Sequence, residues 1–371
     1  MIPLWAACCQ SAVPQSETAV QPYASDAAGH PALVEQALPL TWPGSAGSGL
    51  ILNAEICNGE MYLLAPALKT IHVADLSSGI VGRHIGKAGN GPEDLRRPVS
   101  FGLDCANGRV YVVEGPGGVV AFNLADGRYE NSYPHSAQFR PSMGVRTFVL
   151  GGGSRLLLSG LWSSQVARSW QTGDEMFKNT KLGLNLSLDG GVGAPIAPTY
   201  DADCDTDLTA CLRVDLQPLD GKVGWVASQG GSTRVAVLAA DGAIVRTIDV
   251  RSREFLRDGT KPAEGTEAQI AWGTTNSTIW GLYGAADIIA VIHVRNASKD
   301  WQRGQVVQFD VFMNLYSVDG DRLVSDIRLP GLPAGSDNGQ LLVLDYGSLG
   351  RRANATQIEV KKVPIRAGWS G

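Results

Sequence analysis

The hydrophobic positions fall in short bursts of five to seven residues, each bounded by Gly, Asn or Asp, with no long stretch of helical periodicity. One burst follows a tight turn and recurs along the chain. It reads NGEMYLL from Asn58, NGRVYVV from Asn107, GSRLLLSG from Gly153, DGKVGWVA from Asp220, ADIIAVIHV from Ala286 and NGQLLVLDY from Asn338. These copies lie about 56 residues apart, the spacing of a repeated supersecondary unit. A second landmark closes the units: LSSG at Leu76, LADG at Leu124, SLDG at Ser187, AADG at Ala239 and SVDG at Ser317. Its glycine supplies the positive φ of a two-residue hairpin. SREFLRDGTKPAEG, the nearest candidate helix, is broken by Gly259 and Pro262.

The second unit is the clearest. It predicts strands at Val99–Asp104, Arg109–Gly115, Val119–Leu124 and Arg128–Tyr133. Short antiparallel four-stranded units of this kind, repeated about six times, make a six-bladed β-propeller: an all-β ring whose blades bury their faces on one another. Only QLLVLDY and QIEVKKVPI stand out as strands of the last unit, whereas the run Ala32–Trp42 is left over before the first. Donating that N-terminal strand to the last blade closes the ring and removes an open edge. The predicted organisation is a tether over 1–32 and one propeller over 33–371. A seven-bladed ring is the competing count, because the intervals near 162–220 and 251–286 are long.

The stretch GKAGNGPEDLRRPVSFGLDCANGRVYVVEGPGGVVAFNLADGR resembles the NHL-type repeat of six-bladed propellers. The matching positions are Gly89, Gly91, Pro92, Glu93, Pro98, Asp104, Tyr111, Val112, Asp126 and Gly127; Glu114 stands where the repeat commonly has Asp. The family includes bacterial cell-envelope proteins, RNA-binding modules and a few enzymes, so the resemblance implies a fold rather than a function.

Strand order predicts lopsided loops. Connections between strands one and two, and between three and four, leave one end of the ring and are short throughout. Connections between strands two and three, and between blades, leave the other end. They carry the insertions Trp162–Lys181, Pro198–Ala210, Arg251–Gln269, Arg295–Gln305 and Tyr346–Thr356. Long loops on a rigid scaffold concentrate binding residues. Here they hold Trp162, Arg168, Trp170, Trp301, Arg303, Arg351 and Arg352, and the opening stretch adds Arg96 and Arg97. Trp and Arg anchor interfaces, Trp stacks on sugar faces and Arg forks onto carboxylates, a set suited to a protein or an acidic glycan. The plain alternative for each Trp is a staple packed on the propeller rim.

Charge and composition narrow the function. Net charge is −5 with no basic block, which argues against nucleic acid. The N-terminal MIPLWAACCQ, with small residues before a cysteine, resembles the end of a bacterial lipoprotein signal, which implies lipidation at Cys8, export to the periplasm or outer membrane, and membrane contact only through that anchor. Trp5 and the lack of a basic region before it depart from the pattern. A monomer is expected. Cys204 and Cys211 share one polar loop, where a short-loop disulfide suits an exported chain; Cys57 and Cys105 occupy equivalent places in adjacent repeats, either as a cross-repeat pair or as two buried thiols.

No metal or cofactor is expected. His30, His72, His84, His135 and His293 show no ligand spacing, and His293 reads as a strand histidine with its hydrogen bonds satisfied. Asp201, Asp203, Asp205 and Asp207 alternate as in a calcium loop, but the turn glycine is missing and Leu212 stands where the closing Glu belongs. The chain has no nucleophile elbow, P-loop or dinucleotide fingerprint. Glu114, Asp174, Glu175 and Glu267 are the acids best placed for acid–base work. The expected function is a non-catalytic binding propeller of the cell envelope. The alternative is a lyase or hydrolase with a charged or metal site at the central funnel.

Overall fold

The computed structural model describes residues 36–42, 51–115, 118–135, 138–142, 144–163, 180–190, 193–198, 214–219, 224–229, 232–256, 268, 271–296, 309–344 and 357–365. In chain order the first strand, β1 (Gln36–Thr41), stands apart from its neighbours in sequence. Blade one follows as β2 (Asn53–Cys57), β3 (Glu60–Ala65), β4 (Thr70–Asp75) and β5 (Val81–Ile85). A short parallel pair, β6 (Lys87–Ala88) and β7 (Asp94–Leu95), leads to blade two: β8 (Pro98–Asp104), β9 (Arg109–Glu114), β10 (Gly118–Asn123) and β11 (Tyr129–Tyr133). Blade three comprises β12 (Phe139–Pro141), β13 (Phe148–Leu150), β14 (Arg155–Ser163), β15 (Thr180–Ser187) and β16 (Ala194–Pro198). Blade four runs β17 (Val214–Pro218), β18 (Gly224–Gln229), β19 (Arg234–Ala239) and β20 (Ile244–Asp249). Blade five runs β21 (Thr278–Ala285), β22 (Ile288–Asn296), β23 (Phe309–Ser317) and β24 (Arg322–Leu329). Blade six has β25 (Leu332–Asp337), β26 (Gln340–Leu344) and β27 (Gln357–Pro364), completed by β1.

The six sheets make a six-bladed β-propeller. The count of six stands and the seven-bladed alternative falls, because the long intervals connect strands without adding a sheet among the described residues. The N-terminal strand closes the ring as expected: β1 pairs antiparallel with β27 from Gln36 opposite Lys362 to Thr41 opposite Gln357. Thr41 also donates its backbone N–H to Gly79 O of blade one. The closing strand thereby touches both sides of the seam.

Each blade-to-blade interface has its own core. Met61, Leu63 and Ala65 of β3 pack towards blade six, with Leu342, Leu344 and Val360. Tyr62 and Leu64 of the same strand pack towards blade two, with Phe101, Val110 and Val112. Both faces of an inner strand are thus buried, so these strands read as continuous apolar runs rather than alternating ones. The recurrent burst in the sequence is the second strand of every blade.

The closing turns differ in one detail from expectation. Gly79, Gly127, Gly190, Gly242 and Gly320 all have positive φ. The loops they end are longer than two residues, since Ala239 N bonds Ala243 O and Asn123 N bonds Arg128 O. Two-residue Asn-Gly turns occur instead between first and second strands, at Asn58-Gly59 and Asn338-Gly339, where both residues have positive φ.

Cys57, at the end of β2, is bonded to Cys105, just past β8, with Cα atoms 5.8 Å apart. The bridge staples blades one and two at the end of the ring where the loops are short. It encloses a 48-residue separation, for which chain entropy gives about 4 kcal/mol of stabilisation. Cys57→Ala with Cys105→Ala, or dithiothreitol on the native chain, should lower the urea unfolding midpoint correspondingly. Unchanged midpoints with and without reductant would show that the staple carries no load.

Candidate functional site

The strand pairings sort the connections by end. The gaps from Ser163 to Thr180, Asn296 to Phe309 and Leu344 to Gln357 each join a second strand to a third; those from Pro198 to Val214 and Asp249 to Thr278 join one blade to the next. In a ring of meandering blades all of these open on one end. On the other end, the widest gaps run only from Ser187 to Ala194 and from Pro218 to Gly224.

Arg168, Trp170, Trp301, Arg303, Arg351 and Arg352 lie outside the described residues, as do Asp174, Glu175, Glu267, Cys8, Cys204 and Cys211 and the Asp201–Asp207 loop. Arg96 and Arg97 are both exposed, on the link between blades one and two. Glu114 explains how that link is held. Its Oε2 accepts the backbone N–H groups of Arg96 at 3.0 Å and Arg97 at 2.9 Å. Arg96 also donates a guanidinium N–H to Asn90 O at 3.1 Å. Glu114 is buried and its carboxylate anchors the arginine loop. Trp162 sits within β14 rather than in a loop, opposite Phe139 and Lys181, and packs half-buried on the core between blades two and three. It is a rim staple.

The histidines correct one expectation. His293 lies in β22 as anticipated, fully buried between Phe255 and Phe312, but neither ring nitrogen has a hydrogen-bond partner. Burial pushes its pKa down to about 4, so it is neutral at pH 7. His72 and His84 face each other across β4 and β5 with Nδ1 atoms 2.9 Å apart, in the outer half of blade one. Among the described residues no three His, Cys, Asp or Glu side chains gather as a metal site.

A groove of about 640 Å³ runs on the flank between blades four and five, lined by Arg246, Asp249, Arg251, Tyr316, Asp319 and Arg322. Its charges answer one another. Arg251 pairs with Asp249 at 2.5 Å, Arg246 binds the backbone oxygen of Asp319, and Arg322 donates to Arg251 O.

The innermost strands hold a second polar group of side chains, which the sequence did not announce. Blade three's inner strand is broken between β12 and β13. Gly144 N bonds Val99 O and Thr147 N bonds Phe101 O, so this segment leans on β8. From the break, Arg146 reaches residues of two further blades. It donates from Nη1 to Ser336 Oγ of blade six at 2.6 Å, and its Nε lies 3.6 Å from Glu55 Oε1 of blade one. Blade six stands opposite blade three in a six-membered ring, so Arg146 spans the central axis. Its guanidinium lies over the Phe148 ring, 5.1 Å from the centroid. Glu55 accepts the Leu103 N–H of blade two on its other oxygen at 3.2 Å. Burial pushes the Glu55 carboxyl up to about 7, against the opposing pull of Arg146 and the Leu103 N–H.

No sequence-family model and no curated protein matches the chain. Solved structures do match in fold. A member of the DUF4221 family from Bacteroides vulgatus superposes with a TM-score of 0.65 at 12% identity, covering 90% of this chain and 98% of that one. A protein of Bacteroides fragilis assigned as exported gives a TM-score of 0.50 at 11% identity, covering 88% and 95%. Identities this low establish shared architecture, and they do not establish NHL-type membership.

Glu55 makes stability depend on pH with a defined sign. Its folded pKa is raised above the unfolded value, so its contribution is fully present below about 4.5 and is lost as pH rises through about 7. The melting temperature should therefore fall between pH 5.5 and pH 8 through this group, and Glu55→Gln should flatten that part of the profile. A wild-type slope that persists unchanged in Glu55→Gln would assign it to other groups.

Proposed function

We propose that this chain is an exported, non-catalytic binding propeller of the bacterial cell envelope, holding a protein or an acidic glycan on its long-loop end. The observation that carries the reading is the segregation of the long connections to one end of a rigid ring. On that end Arg96 and Arg97 project from a link whose backbone is fixed by Glu114, so two cations are presented with no ion pair to any described residue. Export is supported by the Cys57–Cys105 bridge, which suits an oxidising compartment, and weakly by the structural neighbour assigned as exported. Lipid anchoring through Cys8 and the ligand roles of Arg168, Trp170, Trp301, Arg303, Arg351 and Arg352 belong to the same proposal.

The enzymatic alternative has one observation on its side, the Glu55–Arg146 pair at the axis. Against it, Glu55 is the single carboxylate in that cluster among the described residues, and glycoside hydrolysis ordinarily uses two.

The double variant Arg96→Ala, Arg97→Ala tests the reading. Binding to immobilised cell-envelope glycan should weaken about tenfold, the scale of one to two lost charged contacts, with the melting temperature nearly unchanged. A large loss of stability would instead make these arginines part of the blade packing. Full retention of binding would move the surface elsewhere.

A further inference from the structure

The axial cluster has a charge arrangement that ring packing alone does not account for. Three blades contribute to it: Glu55 from β2, Arg146 from the broken inner strand of blade three, and Ser336 from β25. Glu55 and Arg146 approach to 3.6 Å without a hydrogen bond between them, and both Glu55 Oε1 and Arg146 Nε are buried atoms lacking a hydrogen-bond partner. Asn53, on the same face of β2 as Glu55 and only 1% exposed, has its Oδ1 without a partner as well. A guanidinium ordinarily takes a carboxylate in a two-pronged fork, and here that fork is not made. The Arg146 side chain keeps 18% of its surface exposed, against 8% for Glu55, so the cation is the more accessible member of the pair.

We propose that Arg146 is an anion-binding site on the ring axis, taking the carboxylate of a small organic acid in place of Glu55. The planar fork of the guanidinium matches a carboxylate, and a monoanion balances the single cation of the cluster. The groups facing Glu55 are Arg146 from blade three and the Leu103 N–H from blade two, with Ser336 on the far side of Arg146; Arg146 is the charged group that acts on Glu55. Once a ligand carboxylate neutralises Arg146, Glu55 loses its counter-ion inside the protein and takes up a proton from solvent. Ligand uptake is then coupled to proton uptake, and binding tightens on acidification. This site is separate from the long-loop end and does not rest on the ligand proposed there.

Acetate is the probe, titrated into the full-length protein at pH 6 and pH 8 at ionic strength held constant with chloride, and followed by calorimetry. With Glu55 protonating near 7, acetate should bind about tenfold more tightly at pH 6 than at pH 8. Glu55→Gln should bind at both pH values with the tighter affinity, and Arg146→Gln should not bind. The glycan-binding assay on Arg96→Ala with Arg97→Ala reads the long-loop surface, whereas the acetate titrations on Glu55→Gln and Arg146→Gln read this site, so the two failures are distinguished. Should Arg146→Gln fold poorly, the near-isosteric Glu55→Gln decides. Equal wild-type affinities at pH 6 and pH 8, no saturable binding, or a pH dependence that survives in Glu55→Gln would each overturn the proposal.

Discussion

Everything in this molecule depends on how closely the innermost strands approach around the axis. At the seam between blades six and one, a Cβ on Gly335 would fall inside the van der Waals radius of Ala54 O. Between blades two and three, Gly102 meets Thr147 O in the same way. Strands this close exclude water from the seams between adjacent blades, so polar groups there need partners from the next blade. Asp215 accepts the Leu282 N–H at 2.6 Å, Tyr283 donates to Pro333 O at 3.2 Å, and Ser100 bonds Thr147 at 2.6 Å. Ser159 bonds Leu216 through both its backbone groups, and Glu55 accepts from Leu103. The result is a belt of polar side chains that joins blade to blade inside the apolar cores.

That belt accounts for the division of labour in the fold. Because the ring is held from the inside and closed at its rim by β1, connections on one end grow long without weakening it. The opposite end, where Cys57 and Cys105 are joined, keeps its turns short. The axial cluster is where the belt sets opposite charges from two blades against each other. Where blade four sets the Asp215 carboxylate on a backbone N–H and blades two and five use neutral side chains, blades one and three place a carboxylate and a guanidinium side by side without a hydrogen bond between them. Departures of this kind from local consistency are characteristic of working sites.

The legible parts of the sequence were those written in local chemistry. Second strands showed as apolar runs after turns, and the positive-φ glycines marked the outer hairpins, so blade number and ring closure followed. Cys57 and Cys105 were visible as a candidate pair because they fall at equivalent places in adjacent repeats. Strand β25, LPAGSD, was not visible, since its glycine serves a close approach to Ala54 rather than strand propensity. Blade three's split inner strand was equally obscure. Glu55 and Arg146 escaped notice because they come from blades that are not neighbours in sequence or in the ring, and a single charge between apolar residues reads as an ordinary strand position. The sequence places Trp162 in a loop because β14 continues past its apolar run, carrying the residue half-buried against the core between blades two and three. His293 was expected to be satisfied, yet the space between two phenylalanine rings offers it no partner.

The most direct test of the inner-belt account is equilibrium unfolding of Gly335→Ala. The added methyl has no room against the Ala54 carbonyl, so blades six and one must separate there. A single cooperative transition destabilised by about 2 kcal/mol or more, the scale of forced overpacking in a close-packed interface, is the predicted result. A midpoint indistinguishable from that of the parent protein would contradict the claim that the ring is set by contact between its innermost strands.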